Sequence, residues 1–124
     1  PQSLAPELLK DMLTGDTRTH RMNDAKILTA IVSQASVAGD VAGASTLATR
    51  PDSVPMLRTI RVPTLIVGGV EDTVYPPEFS LKMHQNIPGS QLVMIPGAAH
   101  AVNFERAAAF NAAVIAWGRR HGLR

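Results

Sequence analysis

Residues 60–69 read Ile60-Arg61-Val62-Pro63-Thr64-Leu65-Ile66-Val67-Gly68-Gly69. A β-branched apolar run, bounded by Pro63 and by two glycines, has the pattern of a strand buried on both faces, as in a parallel sheet. Leu92-Val93-Met94-Ile95 repeats it and predicts a second strand from Gln91 to Ile95. Between the two, Pro76-Pro77 introduces a helix with Phe79 and Met83 on one face, Pro77 being suited to its first turn. Pro88-Gly89 breaks that helix. A strand-helix-strand unit of this length makes its strands parallel with a right-handed crossover, so both carboxyl ends lie on the same edge of the sheet.

On the C-terminal side, a final helix is expected from about Asn103, with Ala107, Phe110, Val114 and Trp117 keeping a seven-residue beat on its buried side. On the N-terminal side no strand is evident before residue 60, and the pattern is helical. Pro6 fits the first turn of a helix whose Leu8, Leu9, Met12 and Leu13 share one apolar face, with Gly15 as its stop. Asn23 or Asp24 can cap a second helix bearing Ile27, Leu28, Ile31 and Ala35, with Gly39 as terminator. A third spans Val41 to Thr49 and ends at Arg50-Pro51, because the residue before a proline avoids helical backbone. There is no internal repeat and no low-complexity linker.

Ligand sites in open α/β sheets form at the carboxyl edge of the strands. Asp72 lies four residues past Gly68 and His100 lies five past Ile95, so each sits on the loop leaving a strand. If the strands are neighbours, about 4.8 Å apart, the carboxylate can reach the imidazole. That is the orienting half of a nucleophilic triad, in which the acid fixes the tautomer and the histidine moves a proton. Taken singly, an aspartate in a glycine-rich loop is a turn former and a lone histidine is a surface or satisfied core residue. Their matched positions after successive strands favour catalysis.

These residues carry a resemblance. From Ile60 to Trp117 the chain resembles the C-terminal end of the α/β-hydrolase fold superfamily: VPTLIVGGVED, then YPP, then NIPGSQLVMIPGAAH, then NFE and a closing helix. The resemblance implies an α/β fold, parallel strands with helices, in which residues 1–53 form a helical cap-like segment. Residues 54–124 would be the C-terminal βαβα part of the core. It implies that Asp72 is the triad acid and His100 the triad base. Glu105 and Asn103 match common residues after the histidine and read as helix-start and loop-supporting groups, while Glu71 is the spare acid beside Asp72. His20, His84 and His121 match nothing and read as surface residues.

The fold's order is nucleophile, acid, histidine, with the nucleophile in a G-x-S-x-G turn between strand and helix. The sequence contains no such motif. Gly43-Ala44-Ser45-Thr46-Leu47 lacks the trailing glycine and a preceding strand, and Gly89-Ser90-Gln91 precedes a strand instead of following one. No nucleophile is assigned, and the loop that would supply oxyanion-hole amides is missing as well. The expectation is a C-terminal fragment of a serine hydrolase of carboxylic esters or lactones, inactive by itself. Its partner would be the N-terminal half, in the same gene product or a separate chain, or a second copy pairing strand edges; its substrate would be a small ester-like molecule. A non-catalytic interaction module is the alternative, as is other chemistry of the fold: haloperoxidase-like, dehalogenase or carbon-carbon hydrolase. The resemblance implies no cofactor and no metal.

Composition is compatible with this. At 124 residues, 45% hydrophobic and 18% charged, the chain has the make-up of one globular domain or part of one. A net charge of +2, with Arg119-Arg120 and Arg124 read as a solvated helix end, gives no reason to expect a nucleic-acid partner. The absence of cysteine excludes disulfides and thiolate chemistry. No apolar run approaches the roughly 20 residues a membrane span requires, and PQSLAPELLKDM lacks the form of a secretory signal. No membrane partner is expected, and the expected location is cytoplasmic.

Overall fold

Two strands organise the chain. In the computed structural model, which describes residues 5–123 apart from the side chains at positions 5, 6 and 8, β1 (Leu65–Gly69) and β2 (Gln91–Ile95) pair in parallel. The register runs from Leu65 opposite Gln91 to Gly69 opposite Ile95. Helix α6, Pro77–Asn86, makes the crossover and has Pro77 in its first turn, as expected. The readings of Arg124 and of the Leu8 side chain fall outside the described residues.

β1 starts at Leu65, not near Ile60. Proline has no N–H to give to a ladder, and the chain just before Pro63 is still turning. Thr59 N–H donates to the Met56 carbonyl and Ile60 N–H to that of Leu57. These close a short helix, α5 (Val54–Leu57), that no sequence pattern announced. Full burial of the strands is confined to Ile66, Gly69 and Ile95; the other strand positions are half-buried.

The helical N-terminal part is confirmed, with different joints. α1 (Ala5–Met12) is followed after two residues by α2 (Gly15–His20), so Gly15 opens a helix where a stop was expected. The Thr14 hydroxyl caps α2 by accepting from the Thr17 N–H at 3.2 Å. α3 runs Met22–Val32 and α4 runs Val37–Thr49. Gly39 lies inside the first turn of α4, where its N–H donates to the capping Ser36 hydroxyl at 3.0 Å. α4 ends at Thr49 with Arg50 extended before Pro51, as the sequence requires. Ile27 and Ile31, expected on a buried face, are exposed.

The closing helix is two helices. α7 (Val102–Glu105) and α8 (Ala107–Arg120) are separated by Arg106, whose φ of −128° and ψ of 49° are not helical. On the face expected to be buried, Phe110 and Trp117 are half-buried, and Ala107 and Val114 are exposed.

Two apolar clusters meet at one loop. Leu9, Leu13 and Leu28 pack with Ala101, flanked by Phe104. Ile95, Ala98 and Val102 pack together, flanked by Val67, Val93 and Phe110. Residues 98–102 thus serve both clusters, and His100 projects from between them. Among the described residues no single helix is long and apolar enough to cross a membrane; α3 and α4, bent by 90°, pass that test only as a pair.

Candidate active site

Pairing continues past the strand ends. Val70 N–H donates to the Ile95 carbonyl and Glu71 N–H to that of Ala98, at 3.1 and 3.0 Å. The Glu71 carboxylate answers in the other direction, accepting from Gly97 N–H at 3.1 Å and Ala98 N–H at 3.0 Å. Glu71 is therefore no spare acid: although exposed, it joins the two loops that carry Asp72 and His100. Gly97 has a φ of 72°, a left-handed backbone that favours glycine, and the Arg106 guanidinium lies over its α-carbon.

Asp72 uses both carboxylate oxygens. Oδ1 accepts from Val74 N–H and Tyr75 N–H, each at 2.9 Å, and so fixes the turn leading to Pro76 and α6. Oδ2 meets His100 Nδ1 at 3.0 Å. The Asp72 side chain is 11% exposed and that of His100 34%, so the acid is the more sheltered partner. A carboxylate can only accept, so this contact makes Nδ1–H the donor. In the neutral ring Nε2 is then the acceptor. Among the described residues, Nε2 has no hydrogen-bond partner.

The Tyr75 ring sits beside the imidazole, centroids 5.7 Å apart and tilted by 35°, and Phe79 meets Tyr75 edge-on at 5.9 Å. Both aromatics border a cleft of about 650 Å³ that runs from Leu47 on α4 past Met83 to Val102 and His100. Its walls are mostly apolar, with the cations Arg50 and Lys82 among them. Phe79 and Met83 do share a face, as predicted, and that face borders the cleft.

Behind His100 lies a group whose connections the sequence did not reveal. Glu105 is 2% exposed. Its Oε2 accepts from Ala99 N–H at 2.6 Å, and its Oε1 from Thr14 N–H at 2.8 Å and the Thr14 hydroxyl at 2.9 Å. Arg21 on the α2–α3 joint donates to the Glu105 main-chain carbonyl. Position 105 was legible as loop-supporting. Its link to Thr14 was not, because 91 residues separate the partners. Asn103 is exposed.

Of the other histidines, His20 is exposed and pairs with Asp16, and His121 is exposed beside the Trp117 ring. His84 differs from expectation: it is half-buried, with Nδ1 2.9 Å from the hydroxyl of buried Ser90. Ser45 lies exposed in the middle of α4. Neither Ser45 nor Ser90 hydrogen-bonds to His100.

The family described as TAP-like protein, Abhydrolase_4, matches residues 32–118. A pimeloyl-[acyl-carrier protein] methyl ester esterase of Neisseria meningitidis is 40% identical over 65 residues, covering 52% of this chain and 25% of the esterase. Among solved structures, a thermophilic esterase from Thermogutta terrifontis superposes with a TM-score of 0.91 at 30% identity, covering 97% of this chain and 44% of that one. A bromoperoxidase from Bacillus anthracis superposes with a TM-score of 0.82 at 26% identity, covering 95% and 44%. The match thus spans about a quarter of the curated relative's length. The parallel strand pair, the helices around it and a family match over more than half of the residues place this chain in the TAP-like family of the α/β-hydrolase superfamily.

Proposed function

We propose that this chain supplies the acid and base of a serine hydrolase that cleaves a carboxylic ester or lactone. The observation that carries the reading is the 3.0 Å contact between Asp72 Oδ2 and His100 Nδ1 at the ends of adjacent parallel strands. Asp72 holds the tautomer in which Nε2 is the acceptor. A serine hydroxyl supplied by the N-terminal half of the hydrolase, in the same gene product or a separate chain, attacks the carbonyl as His100 takes its proton. His100 then returns the proton to the leaving alkoxide, and water repeats the cycle on the acyl-enzyme. Residues 1–53 act as the cap over the cleft, whose apolar walls suit the acyl part of a small ester. By itself the chain turns over esters no faster than free imidazole.

Two experiments test this. Intact mass of every polypeptide in the purified protein, under denaturing conditions, should show a partner or a longer chain carrying G-x-S-x-G. In that complete protein, His100→Ala should lower kcat on p-nitrophenyl esters by about 10⁶-fold with the fold intact. Labelling of the isolated 124-residue chain by a serine-directed phosphonate would refute the placement of the nucleophile.

The likeness to a bromoperoxidase favours a second reading, in which the same pair serves haloperoxidase-like chemistry. Halide-dependent bromination of a dye, measured beside ester turnover, separates the two.

A further inference from the structure

Glu105 stands one side chain behind the acid–base pair. It is a carboxylate 2% exposed, and its acceptors face main-chain donors from two distant parts of the chain. Oε2 takes the N–H of Ala99, the residue before His100, at 2.6 Å. Oε1 takes the N–H and the hydroxyl of Thr14, at 2.8 and 2.9 Å, in the joint between α1 and α2. The α2–α3 joint is drawn toward α7 by Arg21 on the Glu105 carbonyl, and at the end of α1 the main chain adds Ala101 N–H to the Met12 carbonyl at 2.9 Å. The Ala98–Ala99 and His100–Ala101 peptides are thus anchored, one by the Glu105 side chain and one by the end of α1. Glu105 does not border the cleft.

We infer that Glu105 is a positioning residue: it fixes the backbone from which His100 reaches Asp72, and through Thr14 it makes that position depend on the α1–α2 helices. The inference rests on the reading of His100 as the general base. Its chemistry is specific to a carboxylate. Opposed donors need an acceptor on each side, and a glutamine in the same place offers one carbonyl and one NH₂. If the carbonyl turns to the two donors of Thr14, the NH₂ confronts Ala99 N–H, and the Ala98–Ala99 peptide leading into His100 must move. A shift of about 1 Å in a group that transfers a proton can cost on the order of 100-fold in rate.

The test compares Glu105→Gln, Thr14→Val and Thr14→Ser with the wild type in the complete protein. Glu105→Gln should lower kcat on a p-nitrophenyl ester by about tenfold to 100-fold, leaving KM within about twofold because Glu105 lies outside the cleft. The downfield proton signal of His100 Nδ1–H, read by NMR without substrate, should shift or broaden. Should Glu105→Gln fail to fold, Thr14→Val carries the test, since it keeps the carboxylate and removes the hydroxyl donor along with the cap of α2. It should move both readouts in the same direction by less, and Thr14→Ser should restore them. Variants that melt at lower temperature while kcat per folded molecule and the Nδ1–H signal stay unchanged would overturn the inference and leave Glu105 a purely structural group. If His100→Ala retains full turnover, the hydrolase reading fails, and the NMR signal alone then decides whether Glu105 positions His100.

Discussion

Gly69, the last residue of β1, lies in contact with the main-chain carbonyl oxygen of Ala99, leaving no room for a side chain between the strand and the loop that carries His100. The Ala98 carbonyl closes in beside it. Backbone against backbone at this point lets the Asp72 turn come within one hydrogen bond of the imidazole.

Gly69→Ala should therefore act on stability and on catalysis together. Neither carbonyl can swing away as the end of a flexible side chain would, so the 98–100 loop has to move. Overpacking of this kind costs about 1–3 kcal/mol. A thermal melt should show a lower midpoint, and ester turnover per folded molecule should fall as well.

Asp72→Asn keeps the size of the side chain and reverses the histidine. The amide oxygen can still accept from Val74 and Tyr75, which turns the NH₂ toward His100 Nδ1. The ring must then accept at Nδ1 and carry its proton on Nε2, the wrong nitrogen for a base. The expected loss in kcat is about 10³- to 10⁴-fold. The melting temperature should change little, and a crystal structure should show the turn at 72–75 intact.

Tyr75 bears on His100 through its ring. Tyr75→Phe keeps the face that the imidazole leans on and should be nearly neutral. Tyr75→Ala removes it. A ring pair of this type contributes about 0.5–1.5 kcal/mol, so turnover should drop roughly twofold to tenfold.

Two glycines share a φ of 72° but not a neighbourhood, which separates strain from crowding. An added Cβ at Gly89 meets nothing, so Gly89→Ala should cost only the left-handed backbone, about 1–2 kcal/mol. At Gly97 the Arg106 guanidinium occupies that space and must also be displaced. Paired denaturant titrations should find Gly97→Ala the more damaging of the two.

Glu71→Ala removes the acceptor of Gly97 N–H and Ala98 N–H from an exposed site. The loss should be about 1 kcal/mol. Amide exchange at Gly97 and Ala98 should quicken while exchange within β1 and β2 stays slow.

The parts of this architecture that sequence could reveal are those set by local chemistry. Gln91–Ile95 was readable to the residue because Pro88-Gly89 and Pro96-Gly97 fence it on both sides. β1 was overextended because the apolar run begins before the proline that delays pairing. Asp72 and His100 could be brought together on paper since two parallel strands place their following loops on one edge. Helical periodicity identified the apolar face of α3 but not what covers it, and Ile27 and Ile31 are exposed although their spacing suggested burial. The partnership of Glu105 with Thr14 has no period and no motif. It is a contact between a buried carboxylate and a half-buried threonine far apart in the chain, and only the packed chain reveals it.

The fixed register of β1 on β2, Leu65 with Gln91 through Gly69 with Ile95, means that the covalent path from acid to base lies within residues 65–100. Asp72 and His100 therefore travel as a single cassette. A gene rearrangement that removes the residues before Arg50 leaves them on one covalent unit and takes away the ties that Met12, Thr14 and Arg21 make to residues 99–105. An insertion that shifts α6 against either strand parts them at once.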